Sequence, residues 1–498
     1  GFEAAECCLP VHYHAEVDLS IFPAYLEEVC PRIADGGLRI ASFHLPFGTY
    51  WDISSPDETI RAGAVQALAQ LIRLLAPYPG NNLVLHPSFE PIEEGAREAH
   101  IAACQKSLRE LTPIAEETGK KIALENLPRT CLGRDIKEMT AELRQKLSEL
   151  QLKIREKKLP VIIIFEGWSA SGKGSLIGDL IKHLDPRFFK VYSTLPADSA
   201  QMRYPMMKRF WANIPEYGKM AVMDRSWYQE LAVACMEEDI SDKEYARRVK
   251  TVNEFERQLR NDGYLIIKFF LQISKEEQKR RFDKLRESSE TKWRVTERDK
   301  KRHKLYDEYY KAFDDMLTQT DTPQAHWTVI DTTDKTFAKY QMFSTVANRI
   351  TSALDSPKVT FTSDKQYKLL PMPKLSDISL ENKTLSDEAY AEQLKKCQKE
   401  LSKLHSRLYQ AKIPMIIAFE GWDAAGKGGA IKRISSALDP RGYEAIPIAA
   451  PDKTELAHHY LWRFWNNIPK TGHIAIFDRT WYGRVMVERL EGFCSEND

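Results

Sequence analysis

The sequence predicts an α/β protein: two tandem copies of a parallel sheet flanked by helices, preceded by a shorter run of βαβ units. Three observations carry that expectation. A block near the middle of the 498-residue chain recurs toward its end at a constant offset. Each occurrence places a run of apolar, largely β-branched residues directly before a glycine-rich turn and a helical pattern. Ahead of both, apolar strands alternate with helical stretches, which implies parallel pairing.

Composition admits this architecture and removes several others. With 43% hydrophobic and 29% charged residues the chain has ample material for buried cores, so disorder, collagen-like repeats and a membrane bundle are excluded. Lys+Arg 72 against Asp+Glu 71 gives a net charge of +1, which excludes a globally basic nucleic-acid binder but leaves room for a local basic patch. Neither a membrane nor a nucleic acid is an expected partner. The eight cysteines show no CxxC pair and no zinc-ligand spacing, and read as scattered thiols of a reducing cytosol. The opening residues lack a basic stretch followed by an apolar core, so no signal peptide is expected and the chain is read as cytoplasmic.

In chain order, residues 1–134 form the first expected domain. Strands are predicted at Leu38–Phe43, Leu83–His86 and Lys121–Glu125, with helices over Asp57–Leu75 and Gly95–Thr118. The first repeat copy spans 135–355 and opens on a helix marked by Leu143, Leu147 and Leu150. Its Phe165-Glu-Gly-Trp-Ser-Ala-Ser-Gly-Lys-Gly174 recurs 254 residues later as Phe419-Glu-Gly-Trp-Asp-Ala-Ala-Gly-Lys-Gly428. The same offset carries Leu184-Asp-Pro-Arg187 onto Leu438-Asp-Pro-Arg441, Arg209-Phe-Trp211 onto Arg463-Phe-Trp465, and Asp224-Arg225 onto Asp478-Arg479. Upstream, Leu147, Leu150 and Ile154 fall on Leu401, Leu404 and Leu408 at helical spacing. A constant offset over this span is a gapless duplication of a whole domain. Residues 356–387, with three prolines, read as a linker, and the second copy occupies 388–498. Carrying the first copy's end by the same offset points to about residue 608, so the second copy is expected to lack roughly its last 110 residues. The chain therefore reads as an excerpt.

The repeated motif is a phosphate loop. Gly167-x-x-x-x-Gly172-Lys173 and Gly421-x-x-x-x-Gly426-Lys427 each follow a predicted buried strand, Val161–Phe165 or Met415–Phe419, and open a helix. Glycines let backbone N–H groups close around phosphate oxygens, the helix N-terminus adds its positive end, and the lysine reaches the terminal phosphates. This gives tandem P-loop kinase-like domains. The Ser/Thr that ordinarily follows the lysine and ligates Mg²⁺ is here Gly174 or Gly428, so other oxygens must hold a hard dication. Asp423 in the second loop is one source, matched by Ser169 in the first. Asp224 and Asp478, at the ends of apolar strands, are the others, and the adjoining Arg225 and Arg479 can clamp phosphate.

Charge separates the copies. Where the second has Asp423, Lys432, Arg433 and Arg484, the first has Ser169, Gly178, Asp179 and Glu230. Phosphoryl transfer relies on positioning and positive electrostatics, so the second copy is the expected engine. The first copy carries twelve Lys/Arg against five Asp/Glu over 279–304, with Trp293 embedded. That run reads either as a solvated helix face or as a lid over phosphate.

The second-copy block Phe419–Arg433, with Leu438–Arg441, Arg463–Trp465 and Phe477–Gly483, resembles the family-2 polyphosphate kinases. The tandem arrangement is similar to their two-domain type, the polyphosphate:AMP phosphotransferases. The resemblance spans about residues 137–498 and implies transfer of a phosphoryl group from polyphosphate to AMP, giving ADP, with Mg²⁺. It further implies that Asp423 and Asp478 handle metal and acceptor activation, while Lys427, Arg433 and Arg479 grip phosphates and the loop glycines Gly421, Gly426 and Gly428 line the site. Residues 1–134 are similar to the xylose-isomerase-like, sugar phosphate isomerase/endonuclease IV barrels. At about half the roughly 250 residues such a barrel needs, they imply a partial TIM barrel. His44, His86 and Glu125 each end a predicted strand, where barrel sites gather, and together suit a divalent metal such as Zn²⁺ or Mn²⁺. Three alternatives stay open from the residues: another acceptor (ADP or GDP) or ATP as donor, a metal-dependent isomerase or endonuclease in residues 1–134, and an inactive truncated fusion that only binds polyanions. A homo-oligomer is also left open.

Overall fold

Four short strands, β1 (Ala4–Cys8), β2 (Arg39–His44), β3 (Asn82–Leu85) and β4 (Lys121–Leu124), pair in parallel in the order β1-β2-β3-β4. Helices Ile21–Asp35, Glu58–Leu75 and Arg97–Glu117 make the crossovers. The Glu58–Leu75 helix begins where Asp57 accepts from Thr59 N and Ile60 N, and it buries Leu68, Leu71, Ile72 and Leu75 against Phe43 and Leu83. Sequential parallel strands with helical crossovers are the arrangement of part of a barrel. β1 was not among the predicted strands: Ala-Ala-Glu-Cys-Cys carries no β-branched residue, and its pairing to β2 is what makes it extended.

The computed structural model describes residues 4–10, 17–89, 92–125, 136–237, 240–355, 370–372, 374–379, 381 and 384–492. They fall into two compact units, Gly1–Met139 and Thr140–Asp498, and the second holds both repeat copies. The expected boundary at 134/135 and most of the 356–387 linker lie outside the described residues. No helix among the described residues is long and apolar enough to cross a membrane.

In the first copy, β5 (Val161–Gly167), β6 (Phe189–Ser193), β7 (Met220–Asp224), β8 (Leu265–Gln272) and β9 (Trp327–Asp331) form one parallel sheet in the order β6-β7-β5-β8-β9. β5 is central and buried on both faces, which is why it reads as an unbroken apolar run. Helices Ile136–Glu156, Lys173–Ile181 and Lys335–Asp355 cover one face, with Leu147, Leu150 and Ile154 packed against Phe343, Val346 and Ile350. The Asp242–Asn261 and Tyr306–Thr320 helices cover the other.

The second copy repeats the pattern with β10 (Met415–Phe419), β11 (Tyr443–Pro447) and β12 (Ile474–Asp478), ordered β10-β12-β11. Register is duplicated too: Val161 pairs Met220 in the first copy and Met415 pairs Ile474 in the second. The difference lies beside the phosphate-loop strand. β5 is flanked on both sides, whereas among the described residues β10 is an edge strand, so Ile416 is 41% exposed where its counterpart Ile162 is fully buried. Likewise Leu404 is exposed where Leu150 is covered by the Lys335–Asp355 helix.

Candidate functional site

Both loops adopt one backbone. Gly172 and Gly426 stand at φ +101° and +91° at the helix N-termini, and Ala170 and Ala424 are held in left-handed conformation at +61° and +62°. Side chains rarely accept that region, so its appearance at equivalent positions marks a conformation imposed by the loop. Gly167 has a further reason to lack a side chain: a Cβ there would lie 2.3 Å from Leu271 O on β8. Lys173 Nζ donates to Gly167 O at 2.9 Å and Trp168 O at 2.8 Å; Lys427 Nζ donates to Gly421 O and Trp422 O, both at 2.9 Å. An ammonium has three donors, so each lysine keeps one for a phosphate oxygen.

The strand ends complete the cradle. Asp224 and Asp478 close β7 and β12 as expected, and the following Arg225 and Arg479 turn to φ +64° and +70°. That turn lets their N–H groups donate back to Phe165 O and Phe419 O, each at 3.0 Å. A pair of residues not singled out from sequence locks the turn. Glu166 accepts from Ser226 N and Oγ at 2.7 and 2.9 Å, and Glu420 accepts from Thr480 N and Oγ1 at 2.7 and 2.6 Å. The signal was available: a Glu ahead of each loop glycine and a hydroxyl after each Asp-Arg. Burial raises the Glu166 carboxyl well above its usual range, against its Ser226 bonds and the nearby Lys173, and burial lowers the Lys173 ammonium.

Around this shared cradle the copies diverge. In the first, Gln278 Nε2 donates to Ser169 O at 3.1 Å, and Arg281 Nη1 donates to Ala170 O and Ser171 O at 3.1 and 3.0 Å. Asp299 bonds Ser169, and Arg298, Arg302 and Tyr309 converge on Glu237. The basic segment 279–304 therefore acts as both expected alternatives: Arg281 and Arg302 turn inward as a closed cover, while Trp293 is exposed. Beneath it the cavity lined by Gly167, Ser169, Arg225 and Arg302 is small, about 30 Å³.

In the second copy, Arg479 Nη2 donates to Asp423 Oδ1 at 2.8 Å, with the two side chains 55% and 90% exposed. Lys427, Asp423 and Arg479 are thus brought to one open surface. Arg433 folds back along the Lys427–Ser435 helix, over the Tyr390 ring at 5.9 Å and against Gly429, where a Cβ would meet its Nη1 at 2.9 Å. It reaches the first turn of that helix. Lys432 is exposed in the last turn, about 7.5 Å along the axis from Lys427. The first-copy counterpart of Arg433, Asp179, pairs with Lys339 at 2.8 Å and faces the sheet's covering helix instead. Arg484 pairs with Glu488 and lies over Tyr460.

In the other unit, His44 closes β2 and His86 and Glu125 directly follow β3 and β4. Their ligating atoms lie within 4.8 Å of one another, with Glu125 Oε2 at 3.0 Å from both His44 Nε2 and His86 Nε2. His44 Nδ1 lies 3.1 Å from Leu45 O, and Phe47 stacks on His86 at 3.8 Å, which fixes both rings. Burial lowers the His86 pKa, against the pull of Glu125, and so favours the neutral imidazole that binds a cation. Nitrogen and carboxylate donors converging on one point fit a divalent ion.

Comparison with known proteins gives two families. Residues 133–358 and 384–498 match the Polyphosphate kinase 2 family, and residues 1–154 match the Xylose isomerase-like TIM barrel family. The chain is 34% identical over 368 residues to the polyphosphate:AMP phosphotransferase of Pseudomonas aeruginosa, covering 72% of this chain and 73% of that protein. It is 32% identical over 338 residues to the protein of the same name from Acinetobacter johnsonii, covering 68% of each. A crystal structure from Pseudomonas aeruginosa, provisionally named a polyphosphate kinase 2, superposes with a TM-score of 0.60 at 32% identity, covering 72% of this chain and 71% of that one.

Proposed function

The chain belongs to the polyphosphate kinase 2 family, and from that premise we propose that its second copy transfers a phosphoryl group from inorganic polyphosphate to AMP, giving ADP. The single observation that carries the assignment to this copy is the Asp423–Arg479 pair beside Lys427, a carboxylate that the first copy replaces with Ser169. An AMP phosphate oxygen attacks the terminal phosphorus of the polymer. One P–O bond forms, the bridging P–O bond breaks, and its electron pair leaves on the shortened polyphosphate. Such a transfer asks the protein for positioning and positive charge more than for covalent chemistry.

Lys427 would hold phosphate oxygens with its remaining N–H, the loop amides and the start of the Lys427–Ser435 helix would cradle them, and Arg479 would add a two-pronged clamp. Arg433 and Lys432 extend positive charge along the helix for the rest of the polymer. In the first copy Lys173 and Arg225 keep the cradle's chemistry under a cover.

Enzymes of this family generally need a divalent metal. Asp423 and Asp478 supply the carboxylate oxygens that the glycine at 428 cannot, a donor set suited to Mg²⁺. Bound there, Mg²⁺ would neutralise charge shared between donor and acceptor phosphates. The test is ADP formation from AMP, long-chain polyphosphate and Mg²⁺. Activity that survives Lys427→Ala would sink the assignment.

A second reading concerns the other unit, and the convergence of His44, His86 and Glu125 favours it. These three hold a divalent metal, Zn²⁺ or Mn²⁺ by donor type. Metal content measured on the purified chain should fall with His44→Ala and with His86→Ala; unchanged content in both would dismiss it.

A further inference from the structure

The two copies meet through equivalent surfaces. Tyr217 N donates to Ala457 O and Thr471 N donates to Arg203 O, both at 2.7 Å, and the 254-residue offset turns either bond into the other. Trp211 and Trp465, also equivalent, stack with ring centroids 5.6 Å apart. This is the isologous geometry of a two-fold dimer, built within one chain. Further bonds cross the junction: Arg203 Nη2 donates to Thr471 O at 3.0 Å, Lys208 Nζ donates to Ile468 O at 3.1 Å, and Tyr264 takes part in another. Tyr264, fully buried in the first copy, accepts from His459 N at 3.2 Å and donates to Pro215 O at 3.0 Å.

What this junction holds is a segment that runs back to the phosphate site. β11 reaches the carboxyl edge of its sheet at Pro447, in register with Asp478, and Ile448 N donates to Asp478 O at 3.0 Å. Ligands of parallel sheets gather outside that edge. The chain then passes through the Lys453–Leu456 helix to Arg463, whose Nη1 reaches back to Ala449 O at 2.9 Å and Glu455 at 3.4 Å. Arg463 ties the loop beside Asp478 to the short helices Lys453–Leu456 and Trp462–Trp465. Ala457, His459 and Trp465 tie those helices to the first copy.

We propose that Tyr264 is a positioning residue for phosphoryl transfer in the second copy, its hydroxyl fixing the 449–465 segment and through it the backbone beside Asp478. The inference rests on the second copy being the transfer site. It gives the covered first copy a task that needs no phosphate of its own: it is the wall against which the second copy's strand-end loop is set.

Tyr264→Phe removes the hydroxyl and keeps the ring, so the variant folds while His459 N and Pro215 O lose their partner. Steady-state ADP formation and calorimetric binding of polyphosphate are compared for the wild-type chain, Tyr264→Phe and Lys427→Ala. Tyr264→Phe should raise both KM and Kd for polyphosphate about fivefold, the scale of one neutral hydrogen bond. Loss of folded protein alone lowers kcat and leaves KM in place, so KM is the deciding quantity. Unchanged KM and Kd in Tyr264→Phe, with Lys427→Ala inactive, overturns the positioning role and leaves the site assignment standing. Full activity in Lys427→Ala, or a wild-type chain that neither binds polyphosphate nor forms ADP, overturns the site assignment beneath it.

Discussion

In the first copy the loop lysine is 7% exposed, roofed by the segment that carries Gln278, Arg281 and Asp299, over a cavity of about 30 Å³. In the second, the same ammonium makes the same two bonds to loop carbonyls but lies beside an exposed Asp423–Arg479 pair. The cradle is therefore autonomous: glycines, two left-handed alanines and a glutamate–hydroxyl lock build it in either setting. Closure is not autonomous, because it comes from residues far along the chain. A duplicated motif thus says where phosphate can be held, while the residues that differ around it, Asp423 against Ser169 and Arg433 against Asp179, separate the copies.

The largest effect expected from this contrast is on catalysis. Lys427→Ala should lower the rate of ADP formation by about 10²- to 10³-fold, the usual loss when one charge-stabilising donor is removed. The comparison breaks if Lys427→Ala leaves the rate intact and Lys173→Ala abolishes it.

The next effect is on stability and uses the same strand in its two settings. Ile162, fully buried in central β5, should cost about 2–5 kcal/mol on truncation to alanine. Ile416, its counterpart in β10 and 41% exposed, should cost below about 1 kcal/mol. Urea unfolding followed by circular dichroism measures both. Equal costs would mean that β10 is covered in solution by something that restores the first copy's environment.

The parts of this fold legible in the sequence are those that depend on neighbours in the chain. Val161–Phe165 and Met415–Phe419 announced strands by β-branching, the glycine spacing announced the loops, and Asp224 and Asp478 were placed at strand ends. His44, His86 and Glu125 were read as one group because each ends a strand, and the sheet brings them within 4.8 Å. What stayed hidden depends on distant partners. β1 has no strand-forming side chains and exists by pairing to β2. Arg281 gave no local sign that it would cap loop carbonyls 110 residues away. Arg433 gave no local sign that, with glycine at 429, it would lie back along its own helix and over Tyr390. Nor does any pattern within a copy reveal the Trp211–Trp465 stack, since it joins the two copies.

The smallest expected effect tests whether the first copy's cover is held by charge. Glu237 receives Arg298, Arg302 and Tyr309 from the covering segment and the helix that follows it. Burial alone would raise its pKa; the arginine bonds win and hold it at about 2, below the usual carboxylate value of about 4.3. A depressed carboxyl stabilises the fold above its unfolded pKa and loses that contribution as pH falls toward the folded one. The window is therefore about pH 4.5 down to 2. Glu244 and Glu277, also held low by arginines, titrate over the same window, so the wild-type slope alone does not isolate the cover. Glu237→Gln does, because it removes one charge from the set and keeps the shape. Melting temperature should fall less steeply in Glu237→Gln than in wild type between pH 5 and pH 3, and the two should converge at the acid end. Parallel slopes would mean that Glu237 contributes no charge-dependent stability, and that Gln278 and Arg281, which bond loop carbonyls directly, keep the first copy closed without it.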